Sequence, residues 1–219
     1  MRVAIVLFPG FNALDAIGPY QVFAHAAGLR TRFVAERPGL VAAGDQSSLD
    51  ADDGFGDCLD PDVVVVPGGP AASATARAGE PLVEWLRLVH PRASWSASVG
   101  AGAMLLEAAG ILDRVSATTF HLLDAHLGDT GAVIDGPRIA VHDRVITAGS
   151  AGPSAGIYLG LTLLALLPAT PFIPDLDEVH RASRPWHRPW AATFRARQRS
   201  ASHSGRPRRS VAPWHTVRA

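Results

Sequence analysis

The sequence predicts an α/β fold, in which a mainly parallel sheet is covered by helices on both faces. Two observations indicate this fold: strand-like and helix-like segments alternate along the first 170 residues, and the main strand-like segments are continuous apolar runs. The 219 residues are enough for one domain with a sizeable core and too few for two typical domains with a linker. We therefore expect one domain over residues 1–170 and an appendage over residues 171–219.

The predicted strands are short runs that end in turn residues. Val3–Phe8 is followed by a Pro-Gly pair, and Asp62–Val66 by a proline and two glycines. In chain order the predicted strands are Val3–Phe8, Thr31–Glu36, Asp62–Val66, Ala93–Val99, Ala132–Asp135, Arg138–Val141 and Val145–Thr147. Residues 39–60 are rich in glycine, serine and aspartate, so we expect a hairpin or a surface excursion there.

The predicted helices have helical spacing of apolar residues and recognisable ends. Ile17–Ala27 stops at Gly28, and glycine is a usual helix terminator. Pro81–His90 begins with proline, which is tolerated in a first turn because the missing N–H would have no acceptor within the helix. Further helices are predicted at Ala103–Ala109 and from about Ser154 to Leu167.

Composition and charge exclude several classes of protein. Cys58 is the only cysteine, so no intramolecular disulfide and no cysteine-based metal cluster can form. The first strand begins at Val3 without a basic leader or a small-residue cleavage site, and we therefore expect a cytoplasmic protein. The longest apolar run, Ile157–Leu167, is shorter than the roughly 18 residues of a membrane span and predicts a buried helix.

The formal net charge of zero conceals a basic C-terminal segment. Residues 171–219 carry 10 Arg against 3 acidic residues, whereas residues 1–170 carry 10 Arg against 17 acidic residues. Arginine, proline, tryptophan and serine without periodicity predict a disordered tail. An arm that binds nucleic acid is one interpretation and a solvated extension is the other; we favour the extension, because no folded motif accompanies the basic run.

Three loops follow predicted strands and would meet at the carboxyl edge of the sheet, where ligands bind in open parallel sheets. The first holds Asp15 in apolar company before a helix, where burial raises a carboxyl pKa and helix-end amides lower it. The second is Pro67–Gly69, whose backbone N–H groups can approach an anion closely. The third is Ser98–Gly102, a strand-to-helix elbow of the kind that presents a nucleophile. Taken singly, the first loop is an ordinary helix cap and the second is as readily a plain tight turn.

Several sequence fragments arrive in the order and approximate spacing of a known superfamily. They are Leu7–Gly10, Leu14–Asp15 with Gly18–Pro19, Val64–Pro70, Ser98–Val99, Ala108–Leu112, Ala117–Thr119, Arg144–Thr147 and Ala155–Ile157. Over roughly residues 1–168 the chain resembles the ThiJ/PfpI superfamily, and within it the isocyanide hydratases. The resemblance implies a flavodoxin-like three-layer sandwich, a homodimer, and an active site at the elbow. In isocyanide hydratases the elbow cysteine attacks the terminal carbon of R–N≡C, an acidic residue on the first loop manages the proton, and a formamide is released.

The chain departs from this pattern at the nucleophile. The family has Ser-Val-Cys-Thr-Gly at the elbow, whereas Gly100 stands here at the cysteine position. The elbow residue normally has a positive φ, which glycine adopts without strain. Two further differences are Phe120, where a histidine is usual, and Tyr158, where an acidic residue is common. Asp15 and the Pro67–Gly69 turn are retained.

No other residue replaces the missing cysteine convincingly. Cys58 lies far from the elbow in sequence, and Ser98 lies on the strand, two residues before it. A metal site is also unsupported, because no two of three histidines lie four residues apart with a carboxylate partner. These histidines are His121, His126 and His142. We therefore expect neither a metal nor a cofactor.

Two functions remain open at this point. In the first, Asp15 activates water for hydration or hydrolysis of a small apolar substrate, and the backbone of Gly69 and Ala101 stabilises the developing anion. The residues expected to line the pocket are Phe11, Ile17, Phe120 and Tyr158. In the second, the chain is a catalytically dead protein that binds a small molecule, related to the sensor domains of AraC-type transcription regulators. In both, the partner is a small-molecule ligand, with no membrane and no nucleic-acid partner expected.

Overall fold

A computed structural model describes residues 1–78, 81–119, 133–134, 138–149 and 154–167. Its centre is a seven-stranded sheet with the spatial order β10-β11-β7-β6-β1-β2-β5. The strands of this sheet are β1 (Arg2–Val6), β2 (Arg30–Ala35), β5 (Asp53–Gly54), β6 (Val63–Val66), β7 (Trp95–Val99), β10 (Ile139–His142) and β11 (Val145–Ala148). All neighbouring pairs are parallel except β10 and β11, so the predicted mainly parallel α/β sheet is confirmed.

Two small sheets accompany the central one. β3 (Gly39–Ala42) and β4 (Ser48–Ala51) form an antiparallel hairpin within the predicted excursion. β8 (Ser116–Ala117) pairs in parallel with β9 (Val133–Ile134). Sequence reasoning missed β8, a two-residue strand that is too short to show any pattern.

Five helices are described, together with one short 3-10 turn at Gly100–Gly102. They are α1 (Ala13–Ala24), α2 (Ala72–Ala78), α3 (Pro81–Val89), α4 (Ala103–Ala108) and α5 (Ala155–Leu166). α1 packs against α5, while α4 packs against α2 and α3. Because every residue of β6 and β11 is buried, both faces of the central sheet are covered.

One helix was predicted with the wrong bounds and one was missed. α1 ends at Ala24, before the predicted Ala27, and begins four residues before the predicted Ile17 because Asn12 caps it: the Asn12 side chain accepts a hydrogen bond from the backbone N–H of Leu14 at 3.2 Å. α2 was not predicted, since its alanines, serine and threonine show no apolar periodicity; it is held by packing on α4.

Within the described part of the chain, no helix combines the length and the apolar character that a bilayer crossing requires. The predicted boundary at residue 170 and the basic segment 171–219 lie outside the described residues.

Candidate active site

The three predicted loops meet at the carboxyl ends of β1, β6 and β7, which are neighbours in the sheet. After β1 the chain continues to β2 on one side, whereas β6 lies on the other side of β1. The site therefore lies at the point where strand order reverses, the usual ligand position in open parallel sheets. The loops are joined directly, because the N–H of Asn12 donates to the carbonyl of Gly68 at 2.8 Å.

Asp15 lies in the first turn of α1 and is 7% exposed. The N–H of Gly68 donates to its Oδ2 at 3.2 Å. Burial raises the pKa of Asp15 to about 6, and the hydrogen bond from Gly68 offsets part of this rise. At pH 7 the group is mainly a carboxylate, with a pKa close enough to neutrality for a general base.

The Pro67–Gly69 turn presses against both other loops, and only glycine permits this approach. A Cβ on Gly68 would lie 2.9 Å from the nitrogen of Ala101 and 3.0 Å from Oδ2 of Asp15. Gly69 has φ +143°, and a Cβ there would lie 2.5 Å from the carbonyl oxygen of Gly10. The predicted role of Gly69 toward a substrate anion stays a prediction, and the sequence did not indicate that the neighbouring Gly68 donates to Asp15.

The elbow places Gly100 beside Asp15. Gly100 has φ +52°, and among the described residues other than its two chain neighbours only Oδ2 of Asp15, at 3.9 Å, lies within 4 Å of the Cβ that a side chain would add. A side chain at residue 100 would therefore contact the carboxylate of Asp15. Ala101 follows in the 3-10 turn, where the first N–H groups have no acceptor within the turn itself.

Thr119 is hydrogen-bonded to the elbow, and sequence reasoning missed it as a functional position. Its Oγ1 donates to the carbonyl of Gly100 at 2.9 Å. Thr119 and Gly100 are 19 positions apart, and no periodicity or motif predicts a contact between them. The only signal in the sequence was that Thr119 belongs to the family-like fragment Ala117–Thr119. Thr119 therefore acts as a positioning residue for the elbow.

We expect Thr119→Val to lower the free energy of unfolding by about 1 kcal/mol, because the partly buried carbonyl of Gly100 loses its hydrogen bond. Urea unfolding measures the change. Thr162→Val is the matched control, since Thr162 Oγ1 donates to the carbonyl of Tyr158 on the partly exposed outer side of α5. Equal losses in the two variants would show that the bond to Gly100 is not special.

The four residues predicted to line the pocket are placed very differently. Phe11 is completely buried and packs edge-to-face on Phe8, with ring centroids 6.4 Å apart. Ile17 is half-buried on α1, and Tyr158 is 49% exposed on α5. Phe120 lies outside the described residues. Of the three described residues, only Ile17 and Tyr158 present accessible surface.

Neither candidate substitute for the missing cysteine is activated as a nucleophile by another described residue. Burial raises the pKa of the Cys58 thiol, and the carbonyl of Cys58 accepts from the indole of Trp85 on α3. Ser98 is completely buried in β7, and its Oγ has no hydrogen-bond partner among the described residues. Within those residues no group of three or more histidine, cysteine or acidic side chains is arranged to hold a metal ion. His121 and His126 lie outside them.

Comparison with known proteins agrees with this arrangement. The model of the DJ-1/PfpI family matches residues 1–166. The chain belongs to the DJ-1/PfpI family. Isonitrile hydratase of Pseudomonas putida is 31% identical over 163 residues, which are 74% of this chain and 70% of the relative. An uncharacterised Streptomyces lividans protein, encoded in the cpoL 5' region, is 33% identical over 132 residues, covering 54% of this chain and 86% of the relative.

Solved structures of DJ-1/PfpI proteins share the fold. A ThiJ/PfpI protein from Pseudomonas syringae superimposes with a TM-score of 0.71 at 28% identity, covering 76% of this chain and 68% of that one. DJ-1 of Schizosaccharomyces pombe superimposes with a TM-score of 0.65 at 17% identity, covering 77% of this chain and 93% of that one. The predicted flavodoxin-like α/β architecture is thus confirmed.

Proposed function

We propose that this DJ-1/PfpI protein adds water to a small apolar substrate of the isocyanide type, with Asp15 as the general base. The single observation that carries the proposal is the geometry at the elbow: a buried carboxylate with a pKa near 6 faces a position without a side chain. The 31% identity to an isonitrile hydratase supports the substrate class, because isonitrile and isocyanide name the same group, R–N≡C.

The proposed reaction balances with one water and no other reactant. Asp15 takes a proton from water while the water oxygen bonds to the terminal carbon of R–N≡C. The protonated Asp15 then returns the proton to that carbon, which gives R–N=CH–OH. This product tautomerises to the formamide R–NH–CHO. Asp15 therefore acts as base and then as acid, a cycle that suits a carboxyl group with a pKa near neutrality.

The backbone around Asp15 supplies the polar part of the proposed site. We assign the stabilisation of the negative charge that develops during attack to the N–H groups of Gly69 and Ala101, on the two loops that meet Asp15. Ile17 and Tyr158 would contact the apolar substituent of the substrate. The hydrogen bond from Gly68 to Oδ2 holds the carboxylate in place and keeps its pKa from rising further.

We expect Asp15→Asn to reduce isocyanide hydration at least about 100-fold, since an amide cannot accept the proton. The assay follows formamide release by the purified full-length chain. The wild-type rate should rise as pH increases through about 6, where Asp15 loses its proton. Asp50→Asn, an exposed aspartate on β4, is the control and should keep the full rate. A wild-type rate that Asp15→Asn does not lower would overturn the role of Asp15.

A second candidate function is a catalytically dead sensor that binds a small molecule. Gly100 favours it, because the family's covalent step needs a thiol at this position, and glycine has none. An isocyanide or formamide that binds saturably without turnover would favour this function over the first. Retention of DNA by the full chain would point to a regulator.

A further inference from the structure

A cavity that Asp15 does not line lies against residues 7–9, at the start of the first loop. Its volume is about 210 Å³, and it opens where β1 and β2 end. It is lined by residues 7–9 and 35–37, by residues 40–42 of the hairpin, and by Phe55 with the first residues of α3. None of Asp15, Gly68 and Gly100 lines it, so the cavity is separate from the candidate active site.

The interior of this cavity is apolar and anchored to the fold. All lining residues except Glu36 and Arg37 are apolar. Phe55 stacks on Trp85, with ring centroids 5.0 Å apart, and the hairpin wall is tied to the first loop by the hydrogen bond from the N–H of Gly10 to the carbonyl of Ala42 at 2.8 Å. At the rim, Leu40 is 78% exposed, so an apolar ligand would remove its surface from water.

The two charged residues stand side by side at the mouth. Nε of Arg37 and Oε1 of Glu36 are 4.0 Å apart, which is beyond hydrogen-bond distance. Their side chains are 87% and 60% exposed, and neither makes a side-chain hydrogen bond to another described residue. The two groups therefore form a long, solvent-exposed ion pair that a zwitterion can replace, with a ligand carboxylate on Arg37 and a ligand ammonium on Glu36.

We propose that this cavity binds a free α-amino acid with a branched aliphatic or aromatic side chain. The apolar side chain would enter the cavity between the hairpin and α3, and the amino and carboxylate groups would remain at the mouth with Glu36 and Arg37. Its volume accommodates a side chain of the size of leucine or phenylalanine, and most of the affinity would come from burial of that side chain.

The test is calorimetric titration of the full-length chain with L-phenylalanine and two matched probes. 3-Phenylpropanoate lacks the ammonium group and 2-phenylethylamine lacks the carboxylate. We expect L-phenylalanine to bind with a dissociation constant on the order of 1 mM and each probe to bind at least about fivefold more weakly. Arg37→Gln should weaken L-phenylalanine binding at least about fivefold and leave 2-phenylethylamine unchanged.

Two control variants distinguish binding in this cavity from binding elsewhere on the chain. Arg32→Gln removes an exposed guanidinium on β2 that pairs with Asp53 and does not line the cavity, so binding should be unchanged. Asp15→Asn should also leave binding unchanged. Loss of binding in Asp15→Asn would place the ligand at the candidate active site, and equal binding of all three compounds would show that the charges at the mouth select nothing.

Two further outcomes overturn the proposal. One is no saturation by L-phenylalanine below about 20 mM. The other is a dimer in sedimentation that Leu40→Ser dissociates, since a second copy of the chain would then be the occupant of the cavity mouth.

Discussion

Gly100→Cys is expected to raise isocyanide hydration at least about 100-fold above the wild-type rate, because it supplies the nucleophile that the family uses. A Cβ at residue 100 would lie 3.9 Å from Oδ2 of Asp15, and the sulfur, one bond further, can reach hydrogen-bond distance of the carboxylate. A carboxylate with a pKa near 6 can take the thiol proton when the sulfur attacks the terminal carbon of R–N≡C. The assay of formamide release measures the gain.

Matched substitutions at the same position isolate the thiol. Gly100→Ala and Gly100→Ser add the same Cβ at the same backbone angle and should show no gain. All three variants should lose about 1 kcal/mol of stability, because φ +52° is strained for residues with a side chain. A rate for Gly100→Cys no higher than that of Gly100→Ala would show that the site is not a hydratase site with its nucleophile removed.

The sequence predicted the sheet well because each central strand is a local pattern. The run Val63–Val66 is apolar throughout and lies between turn residues, and it forms β6, buried on both faces. The start of α1 was predicted less well, since Asn12 follows a Pro-Gly turn and resembles loop sequence. The apolar side chains of α2 are all alanine methyls without a helical pattern, and the helix packs on α4, a contact that no local pattern reveals.

The candidate site was predictable in its parts and not in its connections. Asp15, the double glycine and the elbow each follow a strand, and parallel strands bring such loops together. The contact of Asp15 with Gly68, however, joins residues 53 positions apart through a backbone N–H, which every residue except proline possesses. For the same reason the sequence did not indicate the hydrogen bond from Thr119 to the carbonyl of Gly100.

Asp15→Asn is expected to stabilise the folded chain at pH 7 by between about 1 and 3 kcal/mol, while it removes activity. Burial raises the pKa of Asp15 from 3.8 to about 6, so the folded state disfavours the carboxylate relative to the unfolded state. The full rise corresponds to about 3 kcal/mol at pH values above 6. The variant gains less than this full amount, because the asparagine amide is also polar and its burial has a cost of its own.

The pH dependence distinguishes this cause from a change in packing. Well below pH 3.8 the carboxyl is protonated in both states, so the charge penalty is absent and Asp15→Asn should be no more stable than the wild type. Between pH 3.8 and about 6 the carboxyl is ionised in the unfolded chain and still protonated in the folded chain. The wild type therefore loses stability relative to Asp15→Asn as pH rises through this range. Above pH 6 the difference in free energy of unfolding between the two proteins is constant. Urea unfolding of both proteins from pH 4 to pH 8 measures the difference, in which all other titrating groups cancel. A difference that does not change with pH would mean that burial does not raise the pKa of Asp15, and the argument for Asp15 as a general base near neutral pH would fail with it.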